Sequence, residues 1–334
     1  RETTSTVRLR RCRRRRRRRS RTSAPTPPTN APAADAGGTP DYGALRALLG
    51  PSLTPEDFLE RFWDAQPLAL HANAREETDA SAPFGKLLRL SDMDALLMRA
   101  RQPESRSELL LFEHLQHVQS YATPHSAFAN GASIIVNHTD KIWPKANKLC
   151  AALGRCFRYA FANLYFTPHA SQTAPPHSDD RDVLVLQLEG SKEWQLYAPP
   201  PVPFPESDEQ VGKHGRPVPA SAVAPSCASK VTLVAGDVLY LPRGHVHEAA
   251  TNDAAPSLHL TIALPSHDWS WASLATAAAA AGRIPRCATD RDSAALHREL
   301  RAREVSHLGD AVGEHLWLWR RAVPPSLVCK GAAS

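Results

Sequence analysis

Residues 173–197, TAPPHSDDRDVLVLQLEGSKEWQLY, constrain this chain more than any other stretch. An apolar run at 183–188 ends in Glu189-Gly190, and after Lys192 a second apolar segment covers 194–197. His177 and Asp179 stand two positions apart at the head of these runs. Successive side chains on an extended strand point to opposite faces, so positions i and i+2 point the same way. An imidazole nitrogen and a carboxylate oxygen are thereby aimed into one space. Those are two of the three ligands of a two-His-one-carboxylate triad, which holds Fe(II) and leaves positions open for oxygen chemistry. An H-x-D pair is weak by itself, and the third ligand has to come from elsewhere.

A source for it stands in VTLVAGDVLYLPRGHVHEA, residues 231–249. Positions 231–234 and 238–241 read as strands joined by a turn at Gly236-Asp237. Pro242-Arg243-Gly244 breaks the second strand, and His245 and His247 follow on its exit. A further alternating segment, 259–264, reads as a neighbouring strand. The pattern predicts an antiparallel barrel with His177, Asp179 and a late histidine at its mouth, His247 in preference to His245.

The segments HSDD, LQLEGSKEW, GDVLYLPRGHVHEA and SLHLTIAL, in this order, resemble the JmjC-type cupin oxygenases, and within them the ribosomal oxygenase branch of bifunctional lysine demethylases and histidyl-hydroxylases. The resemblance covers residues 41–265. It implies a mainly β fold, a double-stranded β-helix with flanking N-terminal helices and a C-terminal helical dimerisation region. It implies Fe(II) on His177, Asp179 and His247, with 2-oxoglutarate as co-substrate and no catalytic residue beyond the metal ligands. Lys192 falls where the family's lysine meets the distal carboxylate of 2-oxoglutarate, and Asn163 and Tyr165 fall on the strand that lines the co-substrate pocket. Residues 132–140, ASIIVNHTD, resemble the family's first barrel strand.

Departures from the family pattern are specific. Glu248 stands where a Gln commonly follows the last ligand, which places a negative charge close to the metal. Ala263 replaces a small hydroxyl residue on the last strand, and His245 duplicates the ligand histidine two residues early. His138, His169 and His259 read as packing or pocket-lining histidines.

Charge is distributed unevenly. Residues 1–40 carry 12 Arg against Glu2 and Asp35, a net +10; the whole chain is +6, so the remainder is −4. The Arg run at 13–19 has no apolar periodicity and reads as a disordered tail, with a Pro- and Ala-rich linker at 24–40. Such a run suggests nuclear or nucleolar targeting or contact with RNA. The chain opens on Arg1 rather than Met, as a fragment or gene-model product does. No apolar stretch of 18 residues and no secretory core is present, so no membrane partner is expected. Six cysteines (12, 150, 156, 227, 287 and 329) lack any C-x-x-C pair and read as reduced, mostly buried thiols.

Four regions follow: the tail and linker at 1–40, a helical part at 41–130 packing on the barrel, the catalytic barrel at 131–265, and a helical region at 266–334. Thr54-Pro55-Glu56-Asp57 is an N-cap, Pro at the first helical position and acids in the first turn, with an apolar stripe behind it at Phe58, Leu59, Phe62 and Trp63. Ser91 and Asp94 form a second capping-box-like start. Residues 199–229 read as a long loop with His214 solvated. Beyond 265, helices over 269–281 and 290–321 set Leu296, Leu300 and Leu308 on one face, suited to a homodimer; no room remains for the family's winged helix before Ser334.

The function expected is oxygenation of a side chain, foremost a histidine, of a ribosomal protein in the nucleus or nucleolus. A histone lysine demethylase, acting as a chromatin regulator on the same fold, is the alternative. A non-catalytic cupin binding module comes third, because the complete ligand set and Lys192 argue against it.

Overall fold

The computed structural model describes residues 41–72, 84, 86–157, 159–205, 209–213 and 215–265. The Arg-rich tail, His214, the helices and dimer face expected beyond 265, and Cys12, Cys287 and Cys329 lie outside the described residues. Helices are α1 (Gly43–Leu49), α2 (Pro55–Arg61), α3 (Met93–Ala100), α4 (Pro124–Ala129) and α5 (Pro144–Phe157). Strands are β1 (Leu68–Leu70), β2 (Glu108–Glu113), β3 (Gln116–His117), β4 (Ser133–Asn137), β5 (Phe161–Thr167), β6 (Asp182–Glu189), β7 (Ser191–Tyr197), β8 (Ala228–Val234), β9 (Val238–Leu241), β10 (His247–Ala250) and β11 (Ser257–Leu264). They form an eight-stranded sheet, β1-β9-β6-β11-β5-β4-β2-β3, and a three-stranded sheet, β10-β7-β8. Every pairing is antiparallel.

From β6 onward the chain crosses repeatedly between the two sheets. β6 pairs with β9 and β11, whereas β7, which follows it directly, pairs with β8 and β10. The link is Gly190, at φ 68°, where an added Cβ would lie 1.9 Å from the Pro256 carbonyl oxygen. Only a residue without Cβ fits that left-handed, crowded corner. The turn at Gly236-Asp237 behaves likewise and corrects the hairpin expected there: β8 stays with β7, while β9 joins β6 and β1. Buried Asp237 braces this corner, accepting the backbone N–H of Val234 at 2.9 Å and of Ala72 at 2.7 Å.

The period of two on the strands separates two interiors. Val136, Leu164, Leu184, Leu186, Tyr240, Leu260 and Ile262 pack under the helices with Leu45, Phe58, Leu96 and Leu153. The intervening residues Val183, Val185, Leu239 and Leu241 pack between the sheets against Trp194, Leu196 and Leu233. With both faces buried, these strands read as nearly continuous apolar runs.

The helical reading of 41–130 holds for α1–α4 and misses β1, β2 and β3. β2 extends the large sheet beside β4, with Leu109 and Leu111 beneath the helices and Leu110 and Phe112 facing inward. An apolar run half-buried on both faces lacks the alternation that marks a strand. Thr54 caps α2 as expected, its Oγ1 accepting the Asp57 N–H at 3.1 Å. The second cap falls earlier than Ser91: Asp92 accepts the Arg89 N–H at 2.9 Å, and the turn Leu90–Asp92 runs into α3. Cys150 and Cys156 are buried and Cys227 is half-buried. Among the described residues no helix is long and apolar enough to cross a membrane.

Tyr240 joins the helices to the sheet. Its ring lies edge-on to Phe58 at 4.9 Å and stacked with Trp63 at 5.7 Å, while its hydroxyl donates to buried Asp182 at 2.6 Å and accepts the Asp64 N–H at 2.9 Å. Tyr240→Phe removes both hydrogen bonds and little volume. Denaturant unfolding is expected to show a loss of about 1–3 kcal/mol; a change below about 0.5 kcal/mol would mean that neither bond stabilises the junction.

Candidate metal centre

The segment 171–177 lies against β10 as an interrupted strand. It touches β10 at two isolated bridges, Gln172 with Ala250 and His177 with His247. Five steps of chain from 172 to 177 therefore oppose three from 247 to 250. The surplus bulges at Ala174-Pro175-Pro176, where two prolines have no N–H to give to a ladder. Beyond the bulge the pairing returns for a single rung: His177 N–H donates to His247 O at 3.1 Å and His247 N–H to His177 O at 2.9 Å. The two imidazole rings come to 4.5 Å between centroids. Two residues on, the Asp179 carbonyl accepts the Gly244 N–H at 2.8 Å, which ties the third residue to the turn before β10.

One ring nitrogen each of His177 and His247 and one Asp179 oxygen all lie within 4.8 Å of one another. His247 Nε2 is 3.6 Å from Asp179 Oδ2. The other ring nitrogens face backbone carbonyls, His177 Nδ1 towards Pro175 O at 2.8 Å and His247 Nδ1 towards His245 O at 3.1 Å. A carbonyl only accepts, so each Nδ1 carries the proton and each Nε2 keeps a lone pair for a ligand. Burial, then the neighbouring His247, presses the His177 pKa down to about 3, and burial also lowers that of His247. Burial alone would raise the Asp179 carboxyl, but Lys213, His247 and His177 outweigh it and hold it well below the usual carboxylate range. Two neutral imidazoles and one carboxylate are the protonation states a divalent metal needs, and the donor set fits Fe(II).

Lys213 was not legible in the sequence as a site residue. It comes from the long loop 199–227 and its ammonium pairs with Asp179 Oδ1. The lysine beside Gly212 was the one signal in that stretch.

A cavity of about 380 Å³ opens beside these residues. Leu110, Phe112 and Ile135 give it an apolar wall, and Lys192, Tyr165, His259 and Thr261 line it from β7, β5 and β11. Lys192 is 3% exposed, donates to Thr167 Oγ1 at 2.9 Å and has no carboxylate partner among the described residues. Burial lowers its pKa to about 7. Tyr165 stacks on His259 at 4.9 Å. The indole nitrogen of Trp194 and Nδ1 of His259, both residues lining the cavity, are buried without a hydrogen-bond partner among the described residues.

Asn163 does not line the cavity; its Oδ1 accepts the His138 N–H at 2.9 Å. His245 is buried outside the ligand cluster. Glu248 adds no charge beside the cluster, because β10 turns it to the opposite face. There it accepts from Tyr197 at 2.6 Å and Gln172 at 3.0 Å. Ala263 is buried away from the cavity, and the hydroxyl that this strand contributes is Thr261. His138 packs on Phe161, while His169 is exposed and neither packs nor lines the pocket.

A model of the JmjC domain matches residues 135–272. "Bifunctional lysine-specific demethylase and histidyl-hydroxylase NO66" of Drosophila mojavensis is 30% identical over 235 residues, 66% of this chain and 24% of that protein. "Ribosomal oxygenase 2" of Bos taurus is 30% identical over 237 residues, 66% of this chain and 47% of that protein. The chain thus spans about a quarter of the length of the first of these relatives and about half of the second. The crystal structure of Escherichia coli ribosomal oxygenase YcfD aligns over 80% of this chain and 70% of its own, at 19% identity and a TM-score of 0.46. Residues 135–272, the stretch similar to the JmjC domain, thus include the antiparallel strands and the segment that gather His177, Asp179 and His247.

Proposed function

We propose that this protein is an Fe(II)- and 2-oxoglutarate-dependent oxygenase that hydroxylates a side chain, a histidine first of all, of a ribosomal protein. The observation that carries the reading is the His177–Asp179–His247 cluster, with both histidines fixed in the ligand tautomer, beside a cavity whose buried lysine has no carboxylate partner among the described residues. His177, Asp179 and His247 would hold the metal. With 2-oxoglutarate and dioxygen, such a centre supplies oxidative decarboxylation to succinate and carbon dioxide, coupled to oxygen insertion into a C–H bond. Lys192 would receive the distal carboxylate, where a desolvated ion contact is stronger than in water. Tyr165 and His259, stacked on each other, bound the space beside it. Leu110, Phe112 and Ile135 exclude water from the opposite side and offer an apolar surface to the substrate side chain.

The names of the relatives, a ribosomal oxygenase and a bifunctional lysine-specific demethylase and histidyl-hydroxylase, support a ribosomal substrate and also the lysine demethylase alternative. The same reading gives the Arg run at 13–19 a part in nuclear or nucleolar retention and RNA contact, and 266–321 a part in a homodimer.

Asp179→Ala is expected to abolish succinate release while leaving the barrel folded; His245→Ala, outside the cluster, retains metal. Succinate release at the parental rate from Asp179→Ala rejects the metal assignment. Mass spectrometry of ribosomal proteins and histones from cells with and without the protein identifies the product. A +16 Da histidine lost from a ribosomal protein supports the first reading, and a gain of histone lysine methylation supports the demethylase.

Lys192 gives a pH dependence of definite sign. With its pKa near 7, the lysine is cationic below neutrality, and above it the free protein must take up a proton to pair with a carboxylate. Anaerobic calorimetry is expected to find 2-oxoglutarate binding weakening between pH 6.5 and 8.5, by at most about tenfold per pH unit. Lys192→Met binds more weakly and flattens the profile. An equal slope in both proteins would assign the titration elsewhere.

A further inference from the structure

We propose that Lys213 is a built-in cation that competes with a divalent metal for Asp179, so that metal loads only as the ammonium releases the carboxylate. The inference rests on the reading of His177, Asp179 and His247 as a metal centre.

The contact is delivered by the backbone. Val211 is fastened to Ser178, the residue between the two ligands: Ser178 N–H donates to Val211 O at 3.0 Å and Val211 N–H to Ser178 Oγ at 3.1 Å. Ser178 is fully buried, and Val211 is buried against Tyr197 and Val246. Gly212 then lies flush on the ligand segment. A Cβ added there would meet Pro176 O at 2.3 Å and His177 Cα at 2.7 Å, so no other residue permits this approach. The loop closes immediately, with Gly212 N–H donating to Arg216 O at 2.7 Å and Arg216 N–H to Lys213 O at 2.9 Å. These bonds fix the Lys213 backbone beside Asp179 through the same residues that carry two of the ligands.

The side chain, unlike its backbone, is free to leave. It is 33% exposed, against 20% for Asp179, and the ammonium can turn into water without moving the anchored backbone. Its presence on Oδ1 matters because Asp179 is the cluster's one carboxylate and its Oδ2 already faces His247. An ammonium and a divalent cation on one carboxylate repel each other, more strongly here than in bulk water because the surroundings are partly desolvated. Metal binding must therefore break the Lys213–Asp179 pair, and the strength of that pair is subtracted from the metal's affinity. The same pair keeps Asp179 compensated while no metal is held, since a buried carboxylate left unpaired is strongly destabilising.

The test is calorimetric titration of Mn(II) into the chelator-stripped full chain, without co-substrate. Lys213→Met is expected to bind Mn(II) about tenfold more tightly than the parent, an order-of-magnitude figure for one partly screened contact. Lys213→Arg, which keeps the cation, stays within about threefold of the parent on the same scale. Lys213→Gln repeats the measurement should the Met variant fail to fold, as judged by circular dichroism. Equal or weaker Mn(II) binding by a folded Met or Gln variant overturns the proposal and leaves the metal centre standing. Binding by neither parent nor variant overturns the metal centre and the proposal with it.

Discussion

Two backbone hydrogen bonds between His177 and His247 carry the site. Each residue gives its N–H to the other's carbonyl, the closed rung of an antiparallel pair, and the rung fixes both ring positions at once. What surrounds it makes that rung possible. The diproline bulge uses up two surplus residues so that His177 meets His247 in register. β10 is held to β7 along its whole length, from His247 opposite Leu196 to Ala250 opposite Glu193. Gly244 then ties Asp179 to the turn that launches β10. A side chain on a single rung would be poorly placed if either partner strand could slide, and the paired strands behind each one prevent that.

The alternation of side chains gives this rung a chamber to work in. On β6 and β9, one set of residues packs beneath the helices and the other fills the space between the sheets. Val183, Val185, Leu241 and Trp194 belong to that inner core and also line the cavity, so the core is the cavity's floor. On β11 the outward set, Leu258, Leu260 and Ile262, is wholly apolar, whereas the inward set includes His259 and Thr261. Changing the polarity of alternate residues turns a packed interior into a binding chamber without altering a strand.

The meeting of His177, Asp179 and His247 was legible because its spacing is local: H-x-D on an extended segment and a histidine at the exit of a strand. The place of Lys192 on the cavity wall was legible only through the sequence around it. What local sequence does not encode is which sheet a strand joins. The segments before and after Gly190, and before and after Gly236, look like hairpins, yet each pair is divided between the two sheets. β2 escaped notice because apolar residues on both of its half-buried faces erased its alternation. Asn163 and Tyr165 share a face by their spacing, but Asn163 is taken up by the His138 N–H while only Tyr165 reaches the cavity. Lys213 was hidden for a further reason: its role depends on where a loop of irregular backbone returns, which no periodicity reports.

Burial orders the polar groups by depth, and that order bears on what the chamber accepts. His259 and Lys192 are deepest at 2% and 3% exposed and His247 follows at 6%, whereas His177, Asp179 and Lys213 are half-buried. A ligand entering from the solvent side therefore passes the triad before it meets Lys192. Lys192 is the deep charge, its pKa lowered by burial and its Nζ bonded only to the neutral Thr167 hydroxyl. A carboxylate arriving there restores the charged form of the lysine and gains an ion contact in a desolvated place. A monoacid could satisfy that end alone. A molecule with acid groups at both ends, short enough for a cavity of about 380 Å³, satisfies Lys192 with one and presents the other to the triad. 2-Oxoglutarate has that shape and charge; under the proposed function Lys192 would select for length while His177, Asp179 and His247 would hold the metal.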